Sequence, residues 1–478
     1  MLFNSIDFAI FLPIVFILYW FVTNKSLKLQ NILIVSASYV FYGWWDWRFL
    51  SLIIFSSIVD YTAGLLLSKT DNKSKRKIVL WISIIVNLGL LGFFKYYNFF
   101  LDNFVTAFSF FGTEINAGSL NIVLPVGISF YTFQTMSYTI DVYRRKLEPT
   151  NNFIAFSAFV SFFPQLVAGP IERASNLLPQ FYTKRDFNSA KAIDGMRQIL
   201  WGLFKKIVIA DNCAEYVNII FNNSSDYSGS TLVLGAIFFA FQIYGDFSGY
   251  SDIAIGTARL FGFDLMRNFN FPYFSRDIAE FWRRWHISLS TWFRDYVYYP
   301  LGGSRGSNWM KIRNTFIIFI VSGFWHGANW TFIIWGALNA IYFLPLLLTK
   351  NNRNNLDIVA KGRILPKFKE IFLMSVNFML VIFAWIFFRA ESVEHAVNYI
   401  SNIFSLSLFS FPQVFPVVKI LLICFFVFIE WIGREHQFAI AKLGVEWKLP
   451  LRWAFYYALI FIIFMFSGKQ LQFIYFQF

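Results

Sequence analysis

The sequence predicts an all-α integral membrane protein whose helices cross the bilayer many times. Of its 478 residues, 57% are hydrophobic, 22% are aromatic and only 14% are charged, whereas roughly a quarter of the residues in a soluble domain are charged. Apolar runs close to the ~20-residue length that spans a bilayer recur along the chain, for example at 6–22, 49–67 and 368–388. Because lipid offers no hydrogen bonds to the backbone, we expect these runs to be helices of one bundle.

The first apolar run, 6–22, is expected to be retained as a helix rather than cleaved. No basic residue precedes it and no A-x-A-like site follows it, so it lacks the signature of a signal peptide. The chain shows no internal repeat, low-complexity segment or soluble domain. Residues 1–478 are therefore predicted to form a single integral-membrane domain.

The net charge of +14 does not indicate nucleic-acid binding, because the basic residues concentrate in short loops between apolar runs. That distribution is the positive-inside pattern. It assigns four basic segments to the cytoplasm: 69–77, 143–146, 259–313 and 351–369. It assigns two segments without lysine or arginine to the other side: 101–121 and 222–230. About twelve spans fit between these anchors, with both termini extracytoplasmic.

Two regions do not fit simple crossing helices. In 156–174 the apolar run is broken by Pro164, Gly169 and Pro170. The stretch 271–306 is aromatic and basic at once, with too many charges to span. Irregular backbone at membrane depth requires burial in protein or a wet cavity. We therefore predict re-entrant or interfacial helices on the cytoplasmic side, around a central cavity.

Two of the four histidines are candidates for chemistry. His395 and His436 lie in polar segments and are interpreted as surface residues, whereas His286 and His326 lie among tryptophans in apolar surroundings. An ionisable residue inside a membrane segment is a functional-site hypothesis by default. The alternative is a structural histidine with both ring nitrogens hydrogen-bonded.

The residues around His326 favour the functional interpretation. Gly323 and Gly327 flank it and permit a bend in the helix and close approach of a ligand. Trp325 adds aromatic bulk that fits the wall of a narrow tunnel, although core packing explains it equally well. The two cysteines, Cys213 and Cys424, lie in apolar runs without metal-ligand spacing, so no metal site is predicted.

A nominally spanning run, 244–256, carries polar side chains that we assign to tunnel support: Asp246, Ser248, Tyr250 and Asp252. Carboxylates at that depth need partners or water. Arginines of the cytoplasmic re-entrant region are the expected partners. A purely structural ion-pair network is the alternative.

The arginines of the re-entrant region suit a phosphate-bearing ligand from the cytosol. Guanidinium groups bind phosphate through a bidentate fork, and the candidates are Arg283, Arg284, Arg294 and Arg305. Backbone amides of 302–306 are possible further donors. Plain positive-inside anchoring explains the same residues.

These motifs together resemble the membrane-bound O-acyltransferase family, in its bacterial branch of alginate O-acetylases such as AlgI and peptidoglycan acetyltransferases such as PatA. The resemblance covers essentially the whole chain. Its anchors are 41–50, 124–144, 163–173, 244–256, 281–306, 322–332 and 473–478.

The resemblance implies the fold of that family, a helical bundle with a tunnel open to both sides of a bacterial inner membrane. It implies that His326 is the catalytic histidine and that His286 occupies the second signature position. It also implies acetyl-CoA as a cytoplasmic donor substrate, without a permanently bound cofactor. The implied acceptor is a polysaccharide outside, reached through an SGNH-type extracytoplasmic partner protein.

The residues leave the mechanism and one different class of function open. The histidine can be the general base for an acceptor hydroxyl or can itself take the acyl group. A transporter or flippase for a glycan precursor, without acyl chemistry, also uses intramembrane polar residues. Such transporters commonly have repeated halves, which this sequence lacks. An inactive scaffold is a third possibility, against which both histidines argue.

The final segment, 467–478, combines a short polar stretch with aromatic residues. Exposed aromatic residues are costly unless they dock. One interpretation is an anchor at the membrane interface or against the bundle. The other is that Tyr475 lies at the outer mouth of the tunnel and relays the acetyl group.

Overall fold

The computed structural model describes residues 1–110, 118–167, 169–468, 471 and 473–474, and throughout this part of the chain the regular structure is helical, without a strand. The prediction of an all-α membrane protein is therefore confirmed. Five helical stretches in the described residues are long and apolar enough to cross a bilayer: Leu27–Ser68, Lys73–Phe110, Gly229–Leu260, Trp330–Leu348 and Phe368–Arg389. Shorter apolar helices are Ile6–Val22, Phe153–Leu166 and Leu449–Met465. The count of about twelve spans, the orientation of the termini and the central tunnel stay predictions.

The chain divides into two compact units. The first unit contains residues 1–188 and 258–265, and the second contains residues 189–257 and 266–478. Helices that begin in the first unit are α1 Ile6–Ile17, α2 Leu27–Asp46, α3 Leu50–Ser68, α4 Lys73–Leu91, α5 Tyr97–Phe110, α6 Ile128–Tyr143, α7 Phe153–Ser161, α8 Phe163–Leu166 and α9 Ala174–Leu177. The single-domain assignment of 1–478 stays a prediction.

Helices that begin in the second unit are α10 Ser189–Leu203, α11 Asp211–Asn222, α12 Gly229–Leu260, α13 Ile278–Arg284, α14 Ile287–Phe293, α15 Asn308–His326, α16 Trp330–Leu348, α17 Phe368–Arg389, α18 Val393–Ile403, α19 Val417–Gly433 and α20 Leu449–Met465. Wider π-helical turns occur at Leu18–Val22, Gly92–Tyr96, Phe204–Ala210 and Arg294–Tyr298. Tighter 3₁₀ turns occur at Trp47–Phe49, Leu178–Phe181, Ser224–Asp226, Pro272–Phe274 and Leu406–Phe409.

Both regions predicted to interrupt the spans break where their sequences indicate. Helix α7 ends at Ser161, and Pro164 lies in the first turn of the short helix α8, where its missing amide costs nothing. The stretch 271–306 forms the short helices α13 and α14 rather than one span. The predicted loop 101–121 was wrong at its start, because α5 continues to Phe110. The positive-inside rule concerns the side of the membrane on which a segment lies, and it does not predict where a helix ends.

The first unit buries an acidic side chain between three helices. Asp60 of α3 is fully buried. Its carboxylate accepts hydrogen bonds from Asn87 Nδ2 (2.7 Å) and Ser83 Oγ of α4 and from Thr139 Oγ1 (2.6 Å) of α6. Three donors satisfy most of the lone pairs of a carboxylate, which offsets the free-energy cost of burying it in a low-dielectric interior. The network therefore ties α3, α4 and α6 together.

The second unit is built around α12. In its most apolar window 78% of the residues are buried, against 39% or less in the other four candidate spans. Glycines let α12 approach α10 closely, because a Cβ on Gly256 would lie 2.5 Å from the carbonyl oxygen of Gly195. A Cβ on Gly249 would likewise lie 2.8 Å from Gly202 O. This contact of backbone on backbone brings the side chains that follow α10 against the polar residues of α12.

We expect Asp60→Ala to lower the stability of the protein in detergent or nanodiscs. The variant loses three intramembrane hydrogen bonds, which at about 0.6 kcal/mol each sum to about 2 kcal/mol. The measurement is thermal unfolding followed by intrinsic fluorescence, and a midpoint several degrees lower is expected. The matched control is Asp102→Ala, which removes an exposed aspartate of α5. Equal midpoints for the two variants would show that the network does not stabilise the fold.

Candidate functional site

His286 lies at the junction of α13 and α14 in a backbone conformation that few side chains adopt. Its φ is 41°, in the left-handed region, and the residue is 1% exposed. Such a conformation persists only where the surroundings determine it. Here the amide of Ile287 donates to the carbonyl of Asn268 at 2.9 Å, and the side chain of Asn268 binds the next turn. The loop before α13 thus fixes the position of His286.

The hydrogen bonds of Asn268 also define which nitrogen of His286 carries the proton. Asn268 Oδ1 accepts from the backbone amide of Ser288 at 3.3 Å and from Ser288 Oγ at 2.9 Å, and its Nδ2 donates to Ser251 Oγ. An oxygen in that place requires His286 Nδ1, at 3.1 Å, to be the donor. The lone pair of the neutral ring therefore lies on Nε2. Burial lowers the pKa of His286 to about 3, because desolvation disfavours the charged ring.

His326 is the last residue of α15 and is 3% exposed. Helix α16 packs directly against the end of α15. A Cβ on Gly327 would lie 2.1 Å from the ring of Phe332, and a Cβ on Gly323 would lie 2.2 Å from the carbonyl oxygen of Phe332. Phe332 fills the space beside both glycines, and the approach of a ligand at this point stays a prediction. Helix α15 ends at His326, next to Gly327, where a bend was expected.

The imidazole of His326 is enclosed by aromatic rings. The ring centroids of Trp325, Trp335 and Phe388 lie 5.0–5.3 Å from its own. Trp325, assigned to the tunnel wall, is buried and lies 6.2 Å from the His286 ring. The imidazole of His326 thus lies in an aromatic enclosure at the end of α15.

The two histidine rings lie close to each other. Their centroids are 6.5 Å apart, which is too far for a direct hydrogen bond between nitrogens at about 3 Å. Two buried imidazoles at this distance are a combination suited to proton transfer.

A large pocket of about 490 Å³ lies next to this pair, on α13 to α16 and the loop after α16. One face of α15 lines it, through Thr315, Ile318, Phe319 and Ser322, and Ser322 is one helical turn before His326. A volume of this size holds a drug-sized or cofactor-sized ligand. The lining also includes three arginines, Arg283, Arg294 and Arg353.

The arginines assigned to phosphate binding separate into two groups. Arg283 and Arg294 line the pocket; Arg283 donates to the carbonyls of Asn352 and Asn355, and Arg294 pairs with Asp295.

The other two, Arg284 and Arg305, do not line the pocket. Arg284 is buried and forms an ion pair with Glu280 at 2.7 Å, so the pocket offers no support for the assignment made to it. One residue along a helix turns the side chain by about 100°, which explains the separation from Arg283. Arg305 is exposed in the turn after α14.

The predicted partners of the α12 carboxylates were wrong. Asp246 pairs with Lys206 at 2.8 Å and Asp252 pairs with Lys205 at 2.6 Å. Both lysines lie in the π-helical turn Phe204–Ala210, not in the cytoplasmic arginine-rich region.

The other two polar residues of α12 lie beside these ion pairs. Ser248 lines a small cavity with Lys205 and Asp252, and the ring of Tyr250 lies 5.7 Å from Lys206 Nζ.

Sequence reasoning missed Asn268, Arg353 and Lys206. Asn268 lies between arginine and phenylalanine in an unremarkable loop, and its role appears only through its contacts with His286. Arg353 is exposed, and among the described residues it has no hydrogen bond or ion pair. A lysine pair, Lys205 and Lys206, inside an otherwise apolar run was a usable signal, since charges at that depth need partners.

Tyr475, the candidate acyl relay, lies outside the described residues, and its role stays a prediction. Phe473 and Ile474 just before it are buried. Within the described residues no group of three or more histidine, cysteine or acidic side chains is suited to hold a metal ion.

Comparison with known proteins identifies the family of the chain. The family described as MBOAT, membrane-bound O-acyltransferase family, matches residues 144–388, which include both histidines. The chain is 40% identical to the probable alginate O-acetylase AlgI of Pseudomonas aeruginosa over 408 residues, covering 85% of this chain and 75% of that protein. It is 35% identical to the peptidoglycan O-acetyltransferase of Helicobacter pylori, covering 85% of this chain and 80% of that protein.

A more distant similarity links the chain to the teichoic acid D-alanyltransferase of Bacillus subtilis, with 26% identity over 58% of this chain and 71% of that protein. The family match covers half of the chain. The alginate O-acetylase and the peptidoglycan O-acetyltransferase named above, at 40% and 35% identity, are each matched over three quarters of their length or more. The chain therefore belongs to the membrane-bound O-acyltransferase family and is a multi-pass membrane O-acetyltransferase.

Proposed function

We propose that this protein transfers acetyl groups from cytoplasmic acetyl-CoA to a cell-surface or exopolysaccharide acceptor on the other side of a bacterial inner membrane. The observation that carries the proposal is the buried pair of histidines close to a pocket of about 490 Å³ lined by arginines. The names of the relatives indicate a glycan acceptor. An SGNH-type partner protein outside the membrane is part of the proposal, as the step that hands acetyl to the polymer.

In the proposed mechanism His326 acts as general base. The acceptor hydroxyl gives its proton to the neutral imidazole while its oxygen bonds to the thioester carbonyl carbon. The carbon–sulfur bond then breaks, and the CoA thiolate takes the proton from the imidazolium. Alternatively the imidazole nitrogen bonds to the carbonyl carbon first, the carbon–sulfur bond breaks and CoA leaves as the thiolate. The acceptor oxygen then bonds to the acetyl carbon, the carbon–nitrogen bond to histidine breaks, and the proton of the acceptor hydroxyl ends on the thiolate. His286, held by Asn268, positions the thioester or a water.

The donor fits the pocket through its charges and its length. The arginines Arg283, Arg294 and Arg353 suit the phosphates of CoA, and the face of α15 that ends at Ser322 suits the neutral pantetheine arm. This arrangement moves only the acetyl group past the histidines. The multiply charged CoA stays on the basic, cytoplasmic side, so its phosphates need not enter lipid.

We expect His326→Ala to reduce acetyl transfer about 10²- to 10⁴-fold, the usual contribution of a general base. The measurement is transfer of radiolabelled acetyl from acetyl-CoA to polysaccharide in membrane vesicles, with protein amount checked by immunoblot. The control is His395→Ala, the same substitution at a histidine that contacts Ser224 outside the site. Near-normal transfer by His326→Ala would exclude the catalytic role. Glycan transport without acetyl chemistry in the wild type would favour a flippase.

We expect Asn268→Leu to reduce transfer by about tenfold or more, because the tautomer and position of His286 are lost. Asn268→Asp keeps an acceptor oxygen for His286 Nδ1 and should retain more activity than Asn268→Leu. Nitrogen-15 NMR of the histidines reports the tautomer directly. An unchanged Nδ1–H signal of His286 in Asn268→Leu would contradict the assignment.

We expect Arg353→Glu to weaken acetyl-CoA binding by about tenfold, since hydrogen bonds to charged groups are worth about 1.5–3 kcal/mol. Turnover at saturating donor should change little, because binding to phosphates is uniform between ground state and transition state. Lys361→Glu, a charge reversal in the same loop outside the pocket lining, is the control. Equal dissociation constants for the two variants would move the donor phosphates away from Arg353.

A further inference from the structure

Two described residues that follow α20, Phe473 and Ile474, lie in the interior of the second unit. Phe473 is 0% exposed and Ile474 is 2% exposed. Their burial brings backbone amide and carbonyl groups into a region that has little water, where each needs a partner within the protein.

Two buried charged residues provide those partners. The amide of Ile474 donates to Asp246 Oδ2 at 2.7 Å, and Lys206 Nζ donates to the carbonyl of Leu471 at 3.4 Å. Lys206 also pairs with Asp246 at 2.8 Å and with Asp211 at 2.7 Å. One lysine thus faces two carboxylates in this cluster, and Lys206 and Asp246 each also bind the backbone that follows α20, at Leu471 and Ile474 respectively.

The ring of Phe473 is linked to His286 through the ring of Phe247. The ring of Phe473 lies 4.6 Å from that of Tyr250 and 5.6 Å from that of Phe247. Phe247 in turn contacts His286 edge-on, with 4.6 Å between ring centroids. Phe247, which follows Asp246 along α12, therefore contacts both the anchored Phe473 and His286.

A small polar cavity of about 40 Å³ lies at the anchor, and Leu471 and Ile474 form part of its wall. Its polar lining comes from Lys206, Asp211, Asn218, Gln242, Asp246 and Arg389. A cavity of this size and polarity can hold water. It shares no lining residue with the donor pocket, and neither histidine is among its lining residues, so water held here is separate from both.

We propose that Leu471, Phe473 and Ile474 form a seal, anchored by Lys206 and Asp246, that keeps water in this cavity away from the histidine pair. The proposal rests on the proposed function. Without the seal, a water oxygen bonds to the thioester carbonyl carbon and the carbon–sulfur bond breaks. One proton of the water passes to the CoA thiolate, and the other is released when the acetic acid ionises to acetate. The seal therefore determines whether acetyl is transferred or lost by hydrolysis. Lys206 and Asp246 are positioning residues in this scheme.

The most specific test removes one backbone hydrogen-bond donor, the amide of Ile474. Ile474→Pro deletes the amide that Asp246 binds and leaves the Lys206–Asp246–Asp211 cluster intact, whereas Ile474→Ala shortens the same side chain and keeps the amide. Amide hydrogen exchange of the peptide 467–474 reports docking. Hydrolysis of acetyl-CoA by the purified protein in nanodiscs, without an acceptor, reports the leak. Each variant is also combined with His326→Ala.

The expected result is loss of exchange protection in Ile474→Pro and at least a tenfold rise in acetyl-CoA hydrolysis, with the dissociation constant for acetyl-CoA unchanged. Ile474→Ala should keep protection and hydrolyse like wild type, and a chain that stops after residue 470 should leak like Ile474→Pro. Retained protection in Ile474→Pro would overturn the anchor. Lost protection without faster hydrolysis would overturn the seal. A leak that persists undiminished with His326→Ala would instead contradict the proposed catalytic histidine.

Discussion

Each polar or charged side chain that these helices bury has to find its partner inside the protein, because surrounding lipid provides none. This constraint selects the arrangement at three places. Asp60 collects three donors from two neighbouring helices. Asp246 and Asp252 each meet a lysine of one π-helical turn. His286 is held in a strained backbone by Asn268. The histidine site is therefore a product of the same requirement that stabilises the fold.

The surroundings of His326 and the basic side chains of the pocket occupy separate regions. The rings of Trp335 and Phe388 enclose the imidazole of His326. Arg283, Arg294 and Arg353 instead line the pocket, on α13, the turn after α14 and the loop after α16. The aromatic enclosure and the basic pocket are thus separate regions joined along one face of α15.

The sequence alone was sufficient for the features that local pattern determines. Apolar length predicts the spans, proline and glycine predict the breaks near Pro164, and two histidines among tryptophans point to the site. It was insufficient where the partner of a side chain depends on long-range packing or on the face of a short helix. Arg283 and Arg284 are adjacent and alike, yet one lines the pocket and the other is neutralised by Glu280. Lys206 and Asp246 are 40 residues apart, and their pairing follows from the close approach of α10 and α12.

The end of α15 determines where His326 lies relative to the pocket. Thr315, Ile318, Phe319 and Ser322 follow one another along the pocket at helical spacing, and one further turn brings His326 to the last helical position. The imidazole itself is not among the lining residues. Gly327 leaves no side chain after it, and Phe332 fills the resulting space against the ring of Phe388 at 4.8 Å. The glycine therefore acts indirectly, because it lets α16 close the aromatic wall around an imidazole that lies one turn beyond the pocket.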